Sequence, residues 1–164
     1  MEIETERLRL LPLTPHQLAV FASGASQLEE LLGVSYQDEK VEGAFQAILP
    51  GQAEKVQQDK ARYLWHTFWL LVRKQDNVVV GTADFKSPPN EHGNVEIGYG
   101  LGAAHRHCGY MTEAVRAMCG WVKRQKNVVH ICAQTLRDNL ASQRVLQRCS
   151  FLPSDGADVL CWQM

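Results

Sequence analysis

The chain has 164 residues, of which 45% are hydrophobic and 21% are charged. This composition is ordinary for a globular protein and excludes the disordered and fibrous classes. Its 17 basic and 18 acidic residues leave a formal net charge of −1, which attracts neither nucleic acid nor an anionic membrane, so we expect neither as a partner.

The sequence also bears on the compartment. There is no apolar run near the roughly 20 residues that a membrane helix needs, and the start, MEIETERLRL, is too charged for a secretory signal. The five cysteines are well separated and form no Cys-x-x-Cys pair, which favours reduced thiols over a disulfide framework or a zinc site. We expect a cytoplasmic protein of one domain, residues 1–164, without a bound metal.

Periodicity predicts both strands and helices in the first half of the chain. Alternation of charged and apolar residues favours strands, and three- and four-residue spacing favours helices. In chain order we expect a strand at 3–13, a helix that begins at Thr14 and Pro15, two helices within 23–62, and a hairpin of strands 67–73 and 78–86. Pro50 and Gly51 should break the second of the helices in 23–62, and Trp65, Phe68 and Trp69 should lie in the core.

The second half predicts a strand–helix–strand unit. After a polar loop at 87–93 we expect a strand at 95–101 and then an amphipathic helix. The apolar side of this helix is formed by Met111, Ala114, Val115, Met118, Trp121 and Val122. A strand at 128–135, a helix at 139–149 and a strand at 158–163 follow. Such a unit requires a parallel pair of strands with a right-handed crossover. Because the earlier hairpin is antiparallel, the sheet must be mixed, in an α/β or α+β layered domain.

The segment between the strand at 95–101 and the next helix indicates a ligand site. Gly98, Gly100 and Gly102 alternate in it, which favours an extended ligand along the strand; a bulge or an element packed overhead is the alternative. The following turn, Arg-His-Cys-Gly-Tyr-Met at 106–111, opens a helix, and unpaired N–H groups at a helix start bind anions, most often phosphate. The Gly-Lys-Ser/Thr ending of a nucleotide P-loop is absent.

This order of strand, turn and helix resembles the acetyl-CoA signature of the GNAT family of N-acetyltransferases. Arg106 and Gly109 match the signature, whereas Met111 replaces the usual second small residue. Residues 139–151, NLASQRVLQRCSF, resemble the distal segment of the family, with Ser150 in place of a glycine. The early ETERLRLLPL adds a likeness to the branch that includes ribosomal-protein N-terminal acetyltransferases.

The resemblance implies a mixed, mainly antiparallel sheet with one parallel pair that splays apart, flanked by helices on both faces. It also implies that acetyl-CoA is the co-substrate, with its pantetheine arm in the splayed gap and its pyrophosphate on the N–H groups of residues 107–112. The residues expected to contact the coenzyme are Tyr99, Gly100, Leu101, Arg106, His107, Cys108, Gly109, Tyr110, Met111, Thr112, Asn139 and Ser142.

The resemblance further implies direct acetyl transfer to a primary amine of a protein N-terminus or of a small molecule. A backbone N–H near residues 99–101 is expected to polarise the thioester carbonyl. Glu96 is the first candidate for the general base, acting through water, and Asp84 is the second; the alternative for Glu96 is an ordinary solvated or ion-paired residue. Leu146 stands where many members carry a tyrosine acid, so Ser142 is the candidate acid, or else only a cap or coenzyme contact.

Several alternatives stay open at this level. A non-catalytic acyl-CoA-binding module is the rival to an enzyme, because Leu146, Met111 and Ser150 depart from the family pattern. His105, His107 and Cys108 resemble metal ligands only by type, and we interpret Cys108 as an incidental thiol rather than a nucleophile. The chain is expected to be a monomer or a homodimer, and residues 23–62 and 87–93 are expected to set the acceptor.

Overall fold

The computed structural model describes residues 1–36, 43–156 and 158–164. Its strands are β1 (Ile3–Glu4), β2 (Leu8–Pro12), β3 (Phe68–Arg73), β4 (Val78–Phe85), β5 (Asn94–Leu101), β6 (His130–Leu136), β7 (Leu152–Asp155) and β8 (Val159–Gln163). They form an eight-stranded sheet in the order β1-β2-β3-β4-β5-β6-β8-β7. All neighbouring strands pair antiparallel except β5 and β6, which are parallel.

Helices cover both faces of this sheet. They are α1 (Pro15–Ser23), α2 (Ala25–Leu32), α3 (Gly43–Gln58), α4 (Tyr110–Val122) and α5 (Leu140–Arg148). One buried cluster joins α4 and α5 to the sheet, and a second joins α1, α2 and α3 to the opposite face. The predicted mixed, layered fold is therefore confirmed. Across the described ranges, no helix combines the length and apolarity that a membrane span requires.

The amphipathic pattern of α4 explains how it packs. Its apolar residues recur every three or four positions, and Ala114, Val115, Met118 and Val122 are fully buried. Trp121 packs against the rings of Trp65, Trp69 and Phe85, with centroids 4.9, 5.3 and 5.7 Å away. The helix is thus fixed on β4 and β5, and its first turn is held beside the end of β5. The prediction that these tryptophans contribute to the core is confirmed.

The prediction of a single strand over residues 3–13 is wrong. β1 and β2 are antiparallel to each other, with Ile3 opposite Leu10, and a turn joins them. In that turn the Thr5 N–H donates to the Leu8 carbonyl at 2.9 Å, and the Leu8 N–H donates to Thr5 Oγ1 at 3.0 Å. A threonine side chain that accepts a nearby backbone N–H stabilises a turn, a signal that the alternation of residue types conceals.

The predicted helix break at Pro50 and Gly51 is also wrong, because α3 continues through both residues. Leu49 and Val56, on either side of them, are fully buried. The packing of this face outweighs the hydrogen bond that proline removes. The sequence pattern also fails to predict β7, a short edge strand with a proline, where a missing N–H is tolerated.

The parallel pair splays apart, as the resemblance implies. β5 pairs with β4 as far as Leu101, opposite Gly81. Its pairing with β6, by contrast, ends at Glu96, opposite Cys132. Beyond that point the edge of β5 that faces β6 has no strand partner among the described residues. The result is a wedge-shaped gap in the middle of the sheet, bordered by open backbone.

The turn after α5 has a left-handed residue where the family pattern has glycine. Ser150 has a φ of 66°. The Ser150 N–H donates to the Gln147 carbonyl and the Phe151 N–H donates to the Leu146 carbonyl, both at 3.0 Å, and Phe151 is buried. Left-handed backbone costs a non-glycine residue roughly 1–2 kcal/mol, so glycine suits this helix end better.

We predict that Ser150→Gly raises the free energy of unfolding by about 1 kcal/mol, because the steric cost of the left-handed backbone disappears. Urea denaturation of the two proteins measures the difference. Ser150→Ala is the matched control, since it removes the same hydroxyl but keeps the Cβ. Equal stability of the Gly and Ala variants would contradict the strained turn.

Candidate active site

The turn between β5 and α4 presents a row of backbone donors. His107 and Gly109 have φ values of 63° and 81°, so the chain reverses direction just before α4 begins at Tyr110. Within the part of the chain that the structure describes, no acceptor binds the N–H groups of residues 107–112. Together with the positive end of the helix dipole, these N–H groups can bind an anion. We call residues 106–112 the anion turn.

Met111, the departure from the family signature, does not cover these donors. Its side chain is 5% exposed and packs into the core beneath α4. The side chains of Arg106, His107 and Cys108 are exposed around the turn. In the described ranges no three His, Cys, Asp or Glu side chains are grouped so that they can hold a metal ion.

On the α4 side of β5, three predicted site residues come together. The Tyr99 hydroxyl lies 2.9 Å from Ser142 Oγ and 3.3 Å from the Ser142 carbonyl. Asn139 is the N-cap of α5, as expected, and its Oδ1 accepts the Ser142 N–H at 3.1 Å. Burial raises the pKa of Tyr99 to about 12, so the phenol keeps its proton at neutral pH. The contact between Tyr99 and Ser142 joins β5 to α5 across the gap.

Many enzymes of the family that the chain resembles carry a tyrosine acid on this helix, and this chain has Leu146 at that position. Leu146, at the corresponding position, is fully buried in the core beneath α4 and α5. On this side Ser142 and Tyr99 each bring a hydroxyl to the gap. Sequence reasoning found Ser142 through the resemblance but did not predict that the Tyr99 phenol supports it, because the two residues are 43 positions apart.

The two candidate bases, Glu96 on β5 and Asp84 on β4, lie on the face of the sheet opposite Tyr99. Successive side chains of a strand point to opposite faces, which separates Glu96 from Tyr99. Glu96 is half-buried beside Cys132, and among the described residues its carboxylate has no hydrogen-bond or ion-pair partner. Burial, followed by the nearby Glu96 charge, raises the pKa of the Cys132 thiol. Glu96 and Ser142 thus flank the gap from two faces and do not contact each other.

Asp84, the second candidate base, already has a partner. Its carboxylate is largely buried and accepts from Lys86 Nζ at 2.9 Å. This ion pair lies over Gly98: a Cβ on Gly98 would be 2.5 Å from Lys86 Nζ and 2.8 Å from Asp84 Oδ1. Gly98 therefore makes room for a packed ion pair, which favours the alternative interpretation of that glycine. Above Gly100 there is open space, with no atom within 4 Å of a built Cβ.

Thr5 and Arg7 also belong to this region, although sequence reasoning does not assign them to the site. From the turn between β1 and β2 they contact the first turn of α4 at Glu113. Both residues lie in the early ETERLRL segment, which is part of the family resemblance, but the sequence alone does not indicate what the segment does. Residues 37–42, part of the segment expected to set the acceptor, lie outside the described residues.

The two strand glycines give a direct test of this geometry. We predict that Gly98→Ala lowers the free energy of unfolding by about 1 kcal/mol, because the new methyl group displaces the buried Asp84 carboxylate. Gly100→Ala, two positions along the same strand, has open space and should leave stability unchanged. Urea denaturation measures both, and equal stabilities of the two variants would be inconsistent with the ion pair over Gly98.

The mixed sheet, its splayed parallel pair and the turn before α4 are the features that the resemblance to acetyltransferases implies. Residues 7–152 match the family described as "Acetyltransferase (GNAT) domain". This match spans most of the chain, so the chain belongs to the GNAT family of acetyltransferases. The family expected from the motifs is thereby confirmed, and so is the expectation of an acyltransferase.

Individual relatives agree with this membership. A curated relative from Bacillus subtilis (strain 168), named "Uncharacterized N-acetyltransferase YjdG", is 29% identical over 150 residues, which cover 92% of this chain and 89% of the relative. A solved structure of the RimL ribosomal L7/L12 alpha-N-protein acetyltransferase in complex with coenzyme A has a TM-score of 0.72 at 16% identity and covers 100% of this chain and 97% of its own. The ribosomal-protein-S5-alanine acetyltransferase from Vibrio fischeri has a TM-score of 0.73 at 16% identity, with coverages of 100% and 96%. These two structures share the fold with this chain.

Proposed function

We propose that this protein transfers an acetyl group from acetyl-CoA directly to a primary amine in a ternary complex. The acceptor is a protein N-terminus or a small molecule. The observation that carries the proposal is the open edge of β5 beyond Glu96, which leads to the unpaired donors of the anion turn. Membership of the GNAT family and the coenzyme A bound by a protein of the same fold support it.

The residues present fit the coenzyme. The free N–H groups of residues 107–112 would hold the pyrophosphate, and the exposed Arg106 adds a positive charge beside them. The open backbone of β5 would pair with the amides of the pantetheine arm, and an N–H among Tyr99, Gly100 and Leu101 would polarise the thioester carbonyl. The face of β5 opposite Tyr99 remains open at Gly100, which carries no side chain and has no atom within 4 Å of a built Cβ.

Acetyl-CoA supplies the activated acetyl group: the amine nitrogen forms a bond to the acetyl carbon, the carbon–sulfur bond breaks, and the sulfur leaves as a thiolate. Glu96 is the proposed general base, which takes a proton from the incoming ammonium group through water. It is a better candidate than Asp84, because the Asp84 carboxylate is already bound to Lys86. The Glu96 carboxylate, which has no partner among the described residues, is also suited to attract a cationic amine to the face of β5 opposite Tyr99.

Ser142 is the proposed proton donor to the departing sulfur, and through water it regains a proton from the nitrogen that becomes the amide. As its O–H turns toward the thiolate, its oxygen can accept a hydrogen bond from the Tyr99 phenol, which lies 2.9 Å away and retains its proton. Hydrogen bonds in a chain strengthen one another, so Tyr99 makes Ser142 a better donor. In this scheme Ser142 acts on the reacting atoms, and Tyr99 is a positioning residue that acts through it.

The role of Glu96 predicts a pH-dependent loss in Glu96→Gln. Release of free thiol from acetyl-CoA, measured across a panel of amines and peptides, should fall about 100-fold at neutral pH. The loss should shrink at higher pH, because an α-amino acceptor with a pKa near 8 then deprotonates without help. Glu2→Gln, at an exposed position outside the candidate site and outside the segments expected to set the acceptor, is the matched control. A rate unchanged by Glu96→Gln at neutral pH would exclude this base.

The roles of Ser142 and Tyr99 predict that their effects do not add. We expect Ser142→Ala to lower kcat roughly tenfold, a modest loss because a thiol with a pKa near 8.5 is already a fair leaving group. Tyr99→Phe should lower kcat less, and it should have no further effect in the Ser142→Ala background. Tyr63→Phe, on the other side of the sheet, is the control. Fully additive losses would contradict the hydrogen-bond chain, and binding of coenzyme A with no turnover for any amine would favour the non-catalytic module.

A further inference from the structure

The carboxylate of Glu113, in the first turn of α4, is held by the turn that joins β1 to β2. Thr5 Oγ1 donates to Glu113 Oε1 at 2.6 Å, and the Arg7 backbone N–H donates to the same oxygen at 2.8 Å. Arg7 Nε donates to Glu113 Oε2 at 2.7 Å. Both oxygens of one carboxylate are therefore occupied by donors from a segment more than 100 residues away in the chain.

The Arg7 guanidinium continues from Glu113 to the anion turn itself. Arg7 Nη1 donates to the Cys108 carbonyl at 2.9 Å. The guanidinium carbon lies 4.7 Å from the centroid of the Tyr110 ring, within the range of a cation–π interaction. A Cβ on Gly109 would lie 3.4 Å from Arg7 Nη2. Arg7 thus contacts Cys108 and Tyr110 and lies beside the glycine between them.

The bond to the Cys108 carbonyl determines the direction of a donor. In a planar trans peptide the C=O and the following N–H point in opposite directions. Because Arg7 binds the Cys108 carbonyl on one side, the Gly109 N–H must point to the other side, away from the arginine. His107 is left-handed, a conformation that is costly for a non-glycine residue and persists only where its surroundings support it. Arg7 supplies such support from behind the donors.

The electrostatics make Arg7 unsuited to be the principal ligand of an anion. Its charge is compensated by Glu113, whose pKa remains below its usual value because the hydrogen bonds from Thr5 and Arg7 outweigh the effect of partial burial. The Glu113 side chain is 17% exposed and that of Arg7 is 44% exposed. A bound phosphate would therefore meet backbone N–H groups on one side of the turn, while the ion pair fixes the other side.

We infer that Arg7, together with Thr5 and Glu113, forms a positioning unit that fixes the backbone donors of the anion turn for the coenzyme pyrophosphate. This inference rests on the proposed function, because it requires that the turn bind acetyl-CoA. It gives a physical role to two sequence segments, ETERLRL and the Thr-Glu-Ala at 112–114, that are far apart in the chain. The side chains of Thr5, Arg7 and Glu113 do not have to touch the substrate for this role.

The test compares a ligand that has a pyrophosphate with one that lacks it. Dissociation constants are measured for coenzyme A by calorimetry and for pantetheine by NMR titration. Arg7→Ala should weaken coenzyme A binding about tenfold and leave pantetheine binding within about twofold, since only the first ligand uses the anion turn. Arg9→Ala is the matched control: Arg9 lies two residues further along the chain, on β2, and its guanidinium binds Asn77 Oδ1 at 2.8 Å instead.

Two milder variants keep the test decisive if Arg7→Ala fails to fold. Arg7→Lys retains the charge but cannot bind Glu113 and the Cys108 carbonyl in the same planar arrangement, so it should also weaken coenzyme A binding. Thr5→Val removes one donor to Glu113 and should have a smaller effect in the same direction.

The outcomes separate this inference from the proposed function. Binding of coenzyme A by folded Arg7→Ala and Arg7→Lys at the affinity of the unaltered protein would overturn the positioning unit and leave the proposed function intact. Equal losses for coenzyme A and pantetheine would also overturn it, because they would indicate a general disturbance of the gap. No coenzyme A binding by the unaltered protein would overturn the proposed function itself.

Discussion

The structure of the site depends on where the hydrogen bonding between β5 and β6 stops. If the ladder continued past Glu96, the backbone of residues 97–101 would be satisfied within the sheet and no extended ligand could pair with it. Because the ladder ends there, that edge keeps its donors and acceptors for another partner. The anion turn begins a few residues after the end of the same strand, beyond a short 3-10 helix at Ala103–His105. One strand and the segment that follows it therefore supply both parts of the candidate coenzyme site.

The alternation of side chains along β5 then divides the chemistry between two faces. Tyr99 meets Ser142 on the side covered by α4 and α5, and Glu96 faces the other side without a partner among the described residues. In the proposed mechanism, a thioester bound in the gap would be accessible to the Ser142 hydroxyl from one face and to the Glu96 carboxylate from the other. Two groups that never touch can therefore serve the same reaction.

Features that depend on local pattern could be predicted from the sequence. The apolar spacing predicted α4, the asparagine predicted the N-cap of α5, and the ordered motifs predicted the family and its splayed sheet. Features that depend on contacts between distant residues could not. The ion pair over Gly98 comes from the neighbouring strand, the support of Ser142 comes from Tyr99 across the gap, and α3 passes through Pro50 because its face is buried by other helices.

The most direct measurement is a crystal structure of the protein with coenzyme A. We expect pyrophosphate oxygens within hydrogen-bond distance of N–H groups among residues 107–112, the pantetheine arm along the open edge of β5, and the sulfur beside Ser142 Oγ. A coenzyme bound away from the gap, or a β5–β6 ladder that continues past Glu96, would contradict the proposed coenzyme site along β5.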